Sequence, residues 1–295
     1  MEFLSENLGL LIRDLRQKVG VSQKELCKGI CSQAEISKIE NGRILPSIYT
    51  LIMISYRLGL EPNYFFNQIT KKHYDFIYNV KSEIRKCIHK KDYKAVYKII
   101  KKYKSHSAFQ SLEEKQFFLW HTGIIEYYLF DDLEKSITSL EGSLKIKQSF
   151  KHSIQDINIL NSLAVIKSES GNYTEAINTL KIAFKHYYGL NCNSDPKIYS
   201  KLCYNISKPF IIQNNDDVAL KYCNLGIENC LDNHTSFLLG ELYYQKGFIY
   251  SKKKEVKQAL DFYSKALNLF EIVNKQEFAN LTKIKITEIN TSSHY

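Results

Sequence analysis

Two sets of residues could do chemistry, and both point to recognition rather than catalysis. The first lies in SQKELCKGICSQAEISKIENGRILP, residues 22–46: Gln23, Ser32, Gln33, Ala34, Ser37, Lys38 and Arg43. Glutamine can bond adenine through two atoms, lysine can bond guanine, and a small Ala or Ser can lie against a thymine methyl. Gln23 at a helix start and Arg43 just past a helix end suit phosphate. The second set is the amides Asn161, Asn205 and Gln245, with Lys90, Lys91 and Phe278. A primary amide offers an acceptor and donors together, which suits it to hold an extended peptide backbone whatever the side chains. Lys90 and Lys91 could receive a peptide carboxylate; a solvated charge run is the alternative. Tyr199, Tyr243, Tyr244 and Phe278 could line side-chain pockets, although aromatics at helical spacing are more often core.

The first set needs two short helices to position it. Ser22 with Glu25, and Ser32 with Glu35, each make an S-x-x-E capping box, flanked by the apolar pairs Val21/Leu26 and Cys31/Ile36. Gly29-Ile30-Cys31 makes the turn between them, and Gly42 ends the second helix. A helix-turn-helix places such a second helix in the DNA major groove. At 100° per residue Ile36 and Ile39 face inward, Ala34, Ser37 and Lys38 face out, and Gln33 sits at the exposed tip. A first helix carries the stripe Leu8, Leu11, Ile12, Leu15 and Val19. Ser47 caps a fourth helix with Leu51, Ile54 and Leu58 inward, and Pro62 starts a short fifth one through Asn67. Residues 68–88 contain no Gly or Pro, and Ile69, Phe76, Ile77, Val80, Ile84 and Ile88 predict an amphipathic helical linker.

The second set rides on a repeat. Small residues recur at Ala95, Ser136, Ala176, Ala219 and Ala259, spaced by 41, 40, 43 and 40 residues, with Ile99, Leu140, Leu180, Cys223 and Tyr263 four later. Ala183, Gly226 and Ala266 mark a further small position, and KKDYK, DDLEK, SGNYTEA, NNDDVA and KKKEVKQA form the turns. This is the rhythm of tetratricopeptide-like helix pairs stacked into a superhelix. Asn161, Asn205 and Gln245 precede their marker alanines by 15, 14 and 14 residues, so three amides recur at nearly one structural position. Peptide clamping competes there with a solvated face or with helix-to-helix hydrogen bonds inside the stack.

Composition bounds the rest. The chain has 295 residues, with room for one large or two modest domains, and a formal net charge of +10. Residues 1–67 hold eight Lys/Arg against seven Asp/Glu, so the excess lies downstream and suits a second, acidic ligand. Seven cysteines, an odd number without C-x₂-C spacing, read as thiols in a reducing cytosol and require no metal or cofactor. The acidic start MEFLSENLG is no signal peptide, and no apolar run is long enough to span a membrane. Nucleophile-elbow, P-loop and zincin motifs are absent, and the eight histidines are scattered, so no enzyme is expected.

Residues 5–66 resemble the phage-repressor type of helix-turn-helix, through SQKEL, SQAEISKIENG, P-S-x-x-T-L and L-G-L. That resemblance implies DNA contacts at Gln23, Gln33, Ala34 and Lys38 and a structural ion pair between Arg16 and Glu40. It departs at Gly29-Ile30-Cys31, where many relatives have Leu-Gly-Val. The whole chain resembles the RNPP family of Gram-positive quorum-sensing regulators, notably in ICSQAEISKIENG, CIHKKDYKAVYK and GELYYQKG. The resemblance implies an all-α fold: a five-helix DNA-binding domain (1–67), a linker helix (68–88) and a superhelix of about five helix pairs (75–290). It further implies a cytoplasmic homodimer that binds a short signalling peptide in the repeat groove and engages double-stranded promoter DNA. Asn161, Asn205, Gln245 and Lys91 match family peptide contacts; Lys90 matches less closely because one residue is inserted there. Phe66 and Phe278 stand where a family member has tyrosines. A repeat domain that binds a protein partner, as a response-regulator-type scaffold does, and a ligand-independent phage-type repressor are the alternatives.

Overall fold

Hydroxyl and carboxylate side chains mark where the helices of this chain begin. Ser22, Ser32, Ser47, Asp92, Ser111, Asp132, Ser153 and Asp195 each accept a hydrogen bond from a backbone N–H two or three residues on. Each bond satisfies a donor that the first helical turn would otherwise leave unpaired. The computed structural model describes residues 2–146, 152–190 and 195–292, with the helix path alone for 2–7, 66–74 and 292. The side chains of Phe66 and Ile69, together with Cys192 and His294, fall outside the described residues. All regular structure among those described is helical, in two compact units, residues 1–90 and 91–295.

The first unit comprises α1 (Glu2–Lys18), α2 (Gln23–Cys27), α3 (Gln33–Glu40), α4 (Ile48–Arg57) and α5 (Asn63–His89). Leu8, Ile12, Leu26, Ile36, Ile39, Leu51, Ile54, Leu58 and Phe65 close into one core. Val19 does not join the α1 stripe: it lies past the helix end, followed by Gly20 in the left-handed region, and is 55% exposed. α1 crosses α3 with almost no gap, because a Cβ on Gly9 would collide with the Ile39 carbonyl oxygen. The short fifth helix and the linker expected from sequence are a single element, α5. Nothing in its 27 residues breaks the helix, and Ile77, Val80 and Ile84 are buried along it.

The second unit comprises α6 (Tyr93–Tyr103), α7 (Leu112–Tyr128), α8 (Leu133–Lys145), α9 (Ile154–Glu169), α10 (Tyr173–Tyr188), α11 (Pro196–Ile212), α12 (Asp216–Asp232), α13 (Leu239–Lys252), α14 (Val256–Ile272) and α15 (Gln276–Ser292). The pairs α7/α8, α9/α10, α11/α12 and α13/α14 pack most intimately, and each pair leans on the next. Ser136, Ala176, Ala219 and Ala259 are fully buried where the second helix of each pair meets the first.

The reversals share one device. A single residue takes the left-handed conformation at Asp131, Gly171, Asn214 and Lys254 within the pairs, at Lys91 before α6 and at Asn274 before α15, while the α12–α13 connection has two, His234 and Leu238. After α9, α11, α13 and α14, the next N–H returns to a carbonyl five residues back, as in Asn172→Lys167 (2.8 Å) and Glu255→Tyr250 (2.9 Å). That bond satisfies a helix-end carbonyl and fixes the exit direction. Only Gly171 adopts this conformation without a Cβ penalty, which for other L-residues is about 1–2 kcal/mol. Gly171→Lys is therefore expected to lower the stability of the second unit by about 1 kcal/mol, and Lys254→Gly to raise it by up to a similar amount. Urea unfolding followed at Trp120, the chain's one tryptophan, reads both changes.

Candidate functional sites

The outer face of α3 is built from behind by a buried charge. Glu40, 2% exposed, accepts from Arg16 Nε (2.6 Å) and Nη2 (3.0 Å) on α1 and from Gln23 Nε2 (2.8 Å) on α2, while Arg16 Nη1 donates to the Val21 carbonyl. Burial pushes the Glu40 pKa up, but hydrogen bonds from Arg16 and Gln23 and the charges of Arg16 and Arg13 outweigh it, leaving a net lowering. The pair expected from the helix-turn-helix resemblance is thus present, and it ties three helices together. Gln23 is half-buried and holds this network, with one amide hydrogen and its oxygen left over.

Ser22 and Glu25 form the full reciprocal box. At the next helix only one arm exists, Ser32 Oγ accepting from the Glu35 N–H. Gly29 takes φ +73° in the turn, and Arg57 of α4 donates to the carbonyls of Glu25, Leu26 and Lys28, covering the exposed end of α2. Gly42 takes φ +69°, and the Gly42 and Arg43 N–H groups return to Ile39 and Lys38 (both 2.9 Å). This double bond fixes Arg43 directly beyond the helix that carries Lys38. Ser32, Gln33, Ala34, Lys38 and Arg43 are exposed, Ser37 is half-buried, and Ile36 and Ile39 point into the core. Six polar or small side chains are thereby collected on and beside one solvent-facing helix of two turns.

The three amides of the second unit stand on successive first helices, α9, α11 and α13, and all are buried. Asn205 Nδ2 donates to Asn161 Oδ1 (2.8 Å), and Gln245 Nε2 donates to the Tyr204 carbonyl (3.2 Å) while its Oε1 accepts from Ser207 Oγ (2.6 Å). Trp120 to Ser162 and Lys201 to Asn158 extend the same ladder. The amides therefore bond helix to helix, and Gln245 is committed on both its oxygen and its nitrogen. The Asn pair is not exhausted: Asn161 Nδ2 and Asn205 Oδ1 meet no protein partner among the described residues.

Beside this row opens a cleft of about 390 Å³, lined by residues of α11, α13, α14 and α15. Gln245 and Phe278 both line it, and Phe278 packs on Phe270 at 5.3 Å. Tyr244 lines it too, whereas Tyr199 sits in an aromatic cluster with Phe184, Tyr187 and Tyr188, and Tyr243 stacks on Phe262. Lys91 is the left-handed residue before α6 and is exposed; Lys90 ends α5 in the first unit. Sequence reasoning missed Tyr204, Lys208 and Glu241, which line the same cleft. The available signal was register: Lys208 stands one turn after Asn205 on the inner helix.

Cys27, Cys203, Cys223 and Cys230 are buried thiols, and burial pushes the Cys223 thiol up to about 12. Among the described residues no cluster of His, Cys, Asp and Glu could hold a metal, and no helix is long and apolar enough to cross a membrane.

A signature described as RNPP family C-terminal domain matches residues 81–287, and a helix-turn-helix signature matches residues 12–65. The crystal structure of Bacillus thuringiensis PlcR in complex with the peptide PapR7 and DNA is similar at 26% identity and TM-score 0.73, covering 94% of this chain and 99% of that one. ComR from S. thermophilus, solved with DNA and its signalling peptide ComS, shares the fold at 17% identity and TM-score 0.56, covering 96% and 99%. Over 59 residues the chain is 41% identical to the ImmF control region 10 kDa protein of Bacillus phage phi105, covering 20% of this chain and 66% of the phage protein.

Removing Arg16 strands a buried carboxylate, so Arg16→Met is expected to cost the first unit about 3–5 kcal/mol near neutral pH. The sign with pH follows from the lowered Glu40 pKa. The pair's contribution is complete above the unfolded carboxylate value of about 4.3 and is lost as pH falls through the folded one. The gap between wild type and Arg16→Met, read by calorimetric unfolding, should therefore narrow on acidification.

Proposed function

The chain belongs to the RNPP family of peptide-responsive, DNA-binding transcriptional regulators, and on that premise we propose how its residues divide the work. Residues 1–67 bind DNA, 68–88 form the linker, and 75–290 hold the peptide and the dimer contacts. Two copies act as a homodimer in the cytoplasm, each setting one α3 into the major groove of a two-fold symmetric promoter site. Gln33, Lys38, Ala34 and Ser37 read base edges, and Ser32, Gln23 and Arg43 hold phosphates. Gln23 does so with the amide hydrogen that Glu40 leaves unused.

The observation that carries the peptide reading is the leftover pair of atoms on the inner helices. Asn161 Nδ2 is a donor and Asn205 Oδ1 an acceptor, and the C=O and N–H of one residue in an extended peptide supply the complement of both. Gln245 and Phe278 wall the neighbouring cleft, where a ligand side chain fits, and Lys91 of the same unit supplies positive charge. The stack's own hydrogen bonds do not compete with this use, because a ligand can extend the ladder without breaking it. A ligand-independent repressor of phage type is less well supported, since the phage likeness accounts for 59 residues and leaves the second unit without a task. An uninterrupted α5 is the element we assign to couple the two sites.

The test uses an operator selected from random duplexes and a peptide selected from a degenerate heptapeptide pool, both on the full-length protein. Gln33→Ala and Lys38→Ala should each cost about 1–3 kcal/mol in operator affinity. Asn161→Ala/Asn205→Ala should weaken the selected peptide by about 0.5–1.5 kcal/mol per lost hydrogen bond. Peptide and operator should tighten one another by the same factor, typically about 5–150-fold. Unchanged operator affinity in the α3 variants refutes the reading-helix assignment; unchanged peptide affinity in the double variant refutes the clamp.

A further inference from the structure

The groove cleft holds two charged side chains, and only one of them is neutralised. Glu241 is buried and ion-paired with Lys275. Lys208, half-buried on α11 at the same cleft, lies over the Tyr204 ring with Nζ 4.1 Å from its centroid. No hydrogen bond or ion pair reaches Lys208 from the described residues. The groups acting on its charge from further off are the carboxylates of Glu169 and Glu241 and the like charge of Lys91. Burial pulls its pKa down, as expected for an ammonium facing apolar walls without a counter-ion. An ammonium carries three donors and no acceptor, so a ligand that closes the cleft must answer it with an anion or pay for its desolvation. The chain's positive excess lies outside residues 1–67, the part that reads DNA, and is not explained by DNA reading.

We propose that Lys208 reads a carboxylate on the bound peptide, whose neighbouring apolar side chain occupies the cleft against Phe270 and Phe278. This rests on the reading of the groove as a peptide site and narrows it: the ligand class is an anionic peptide bearing a bulky apolar residue. Lys208 then selects among peptides, while the asparagine pair holds backbone common to all of them. The carboxylate belongs either to an Asp or Glu side chain or to the peptide's C-terminus.

Three degenerate heptapeptide pools, each carrying one Phe or Leu, test this on the full-length protein. One pool has an Asp or Glu and an amidated C-terminus. The second has no acidic side chain but a free C-terminal carboxylate. The third has Asn or Gln and an amidated C-terminus. Wild type should enrich one of the two anionic pools, and the pool enriched identifies the source of the carboxylate. Lys208→Met should bind those peptides about 10–100-fold more weakly, the range of a lost hydrogen bond to a charged group. The same variant should keep wild-type affinity for the neutral pool and for operator DNA, and Lys208→Arg should recover the preference. Enrichment of the neutral pool alone, or equal binding of anionic peptides by wild type and Lys208→Met, overturns the role of Lys208 and leaves the peptide reading standing. Failure of wild type to enrich any pool overturns both.

Discussion

The second unit depends on reversing the chain the same way inside each helix pair. One left-handed residue in the turn inside each helix pair, backed in the later turns by an N–H that returns five residues, sets the angle at which each outer helix leaves its inner partner. Because the angle repeats, residues at equal distance from the turn come to equal places on neighbouring inner helices. That is why side chains more than forty residues apart, Asn161 and Asn205, meet at 2.8 Å. A different exit angle at one turn would separate them and leave buried amides unpaired, each such group costing about 1–3 kcal/mol.

The first unit solves its positioning problem with charge. Its α3 is only eight residues long, too short to hold its shape by itself. Glu40 at its end anchors it to Arg16 and Gln23, and Gly9 lets α1 close to backbone contact with it. The outward face can then consist of residues chosen for what they touch in a partner, since packing makes no demand on them.

Much of this was legible in the sequence because it follows from local rules. Capping serines, apolar periodicity and the 40-to-43-residue spacing specify helices, turns and repeat register without long-range knowledge. The Arg16–Glu40 pair was legible only through a resemblance, since nothing in the periodicity of two helices says which of their charges meet. Val19 misled because a stripe cannot announce where its helix stops. The join of the short fifth helix to the linker was missed for the opposite reason: Asn67 looks like an end, yet no Gly or Pro enforces one. Tyr199 and Tyr243 show that an aromatic on a helix does not declare which side of the stack it serves. Lys208 went unnoticed because a lone lysine on a polar chain has no motif. Its meaning comes from having no ion-pair partner among the described residues, and such absences are visible only in three dimensions.

The left-handed turn residues have one further consequence, which concerns how such a protein can diverge. Asp131, Asn214, Lys254 and Asn274 occupy backbone positions that favour glycine, and all four are exposed. Exchange at these sites trims or restores robustness in small steps while ligand preference stays untouched. Exchange on the inner helices does the reverse. Selection therefore has two nearly independent dials on one scaffold, so lineages can acquire new signals without first rebuilding the architecture that receives them.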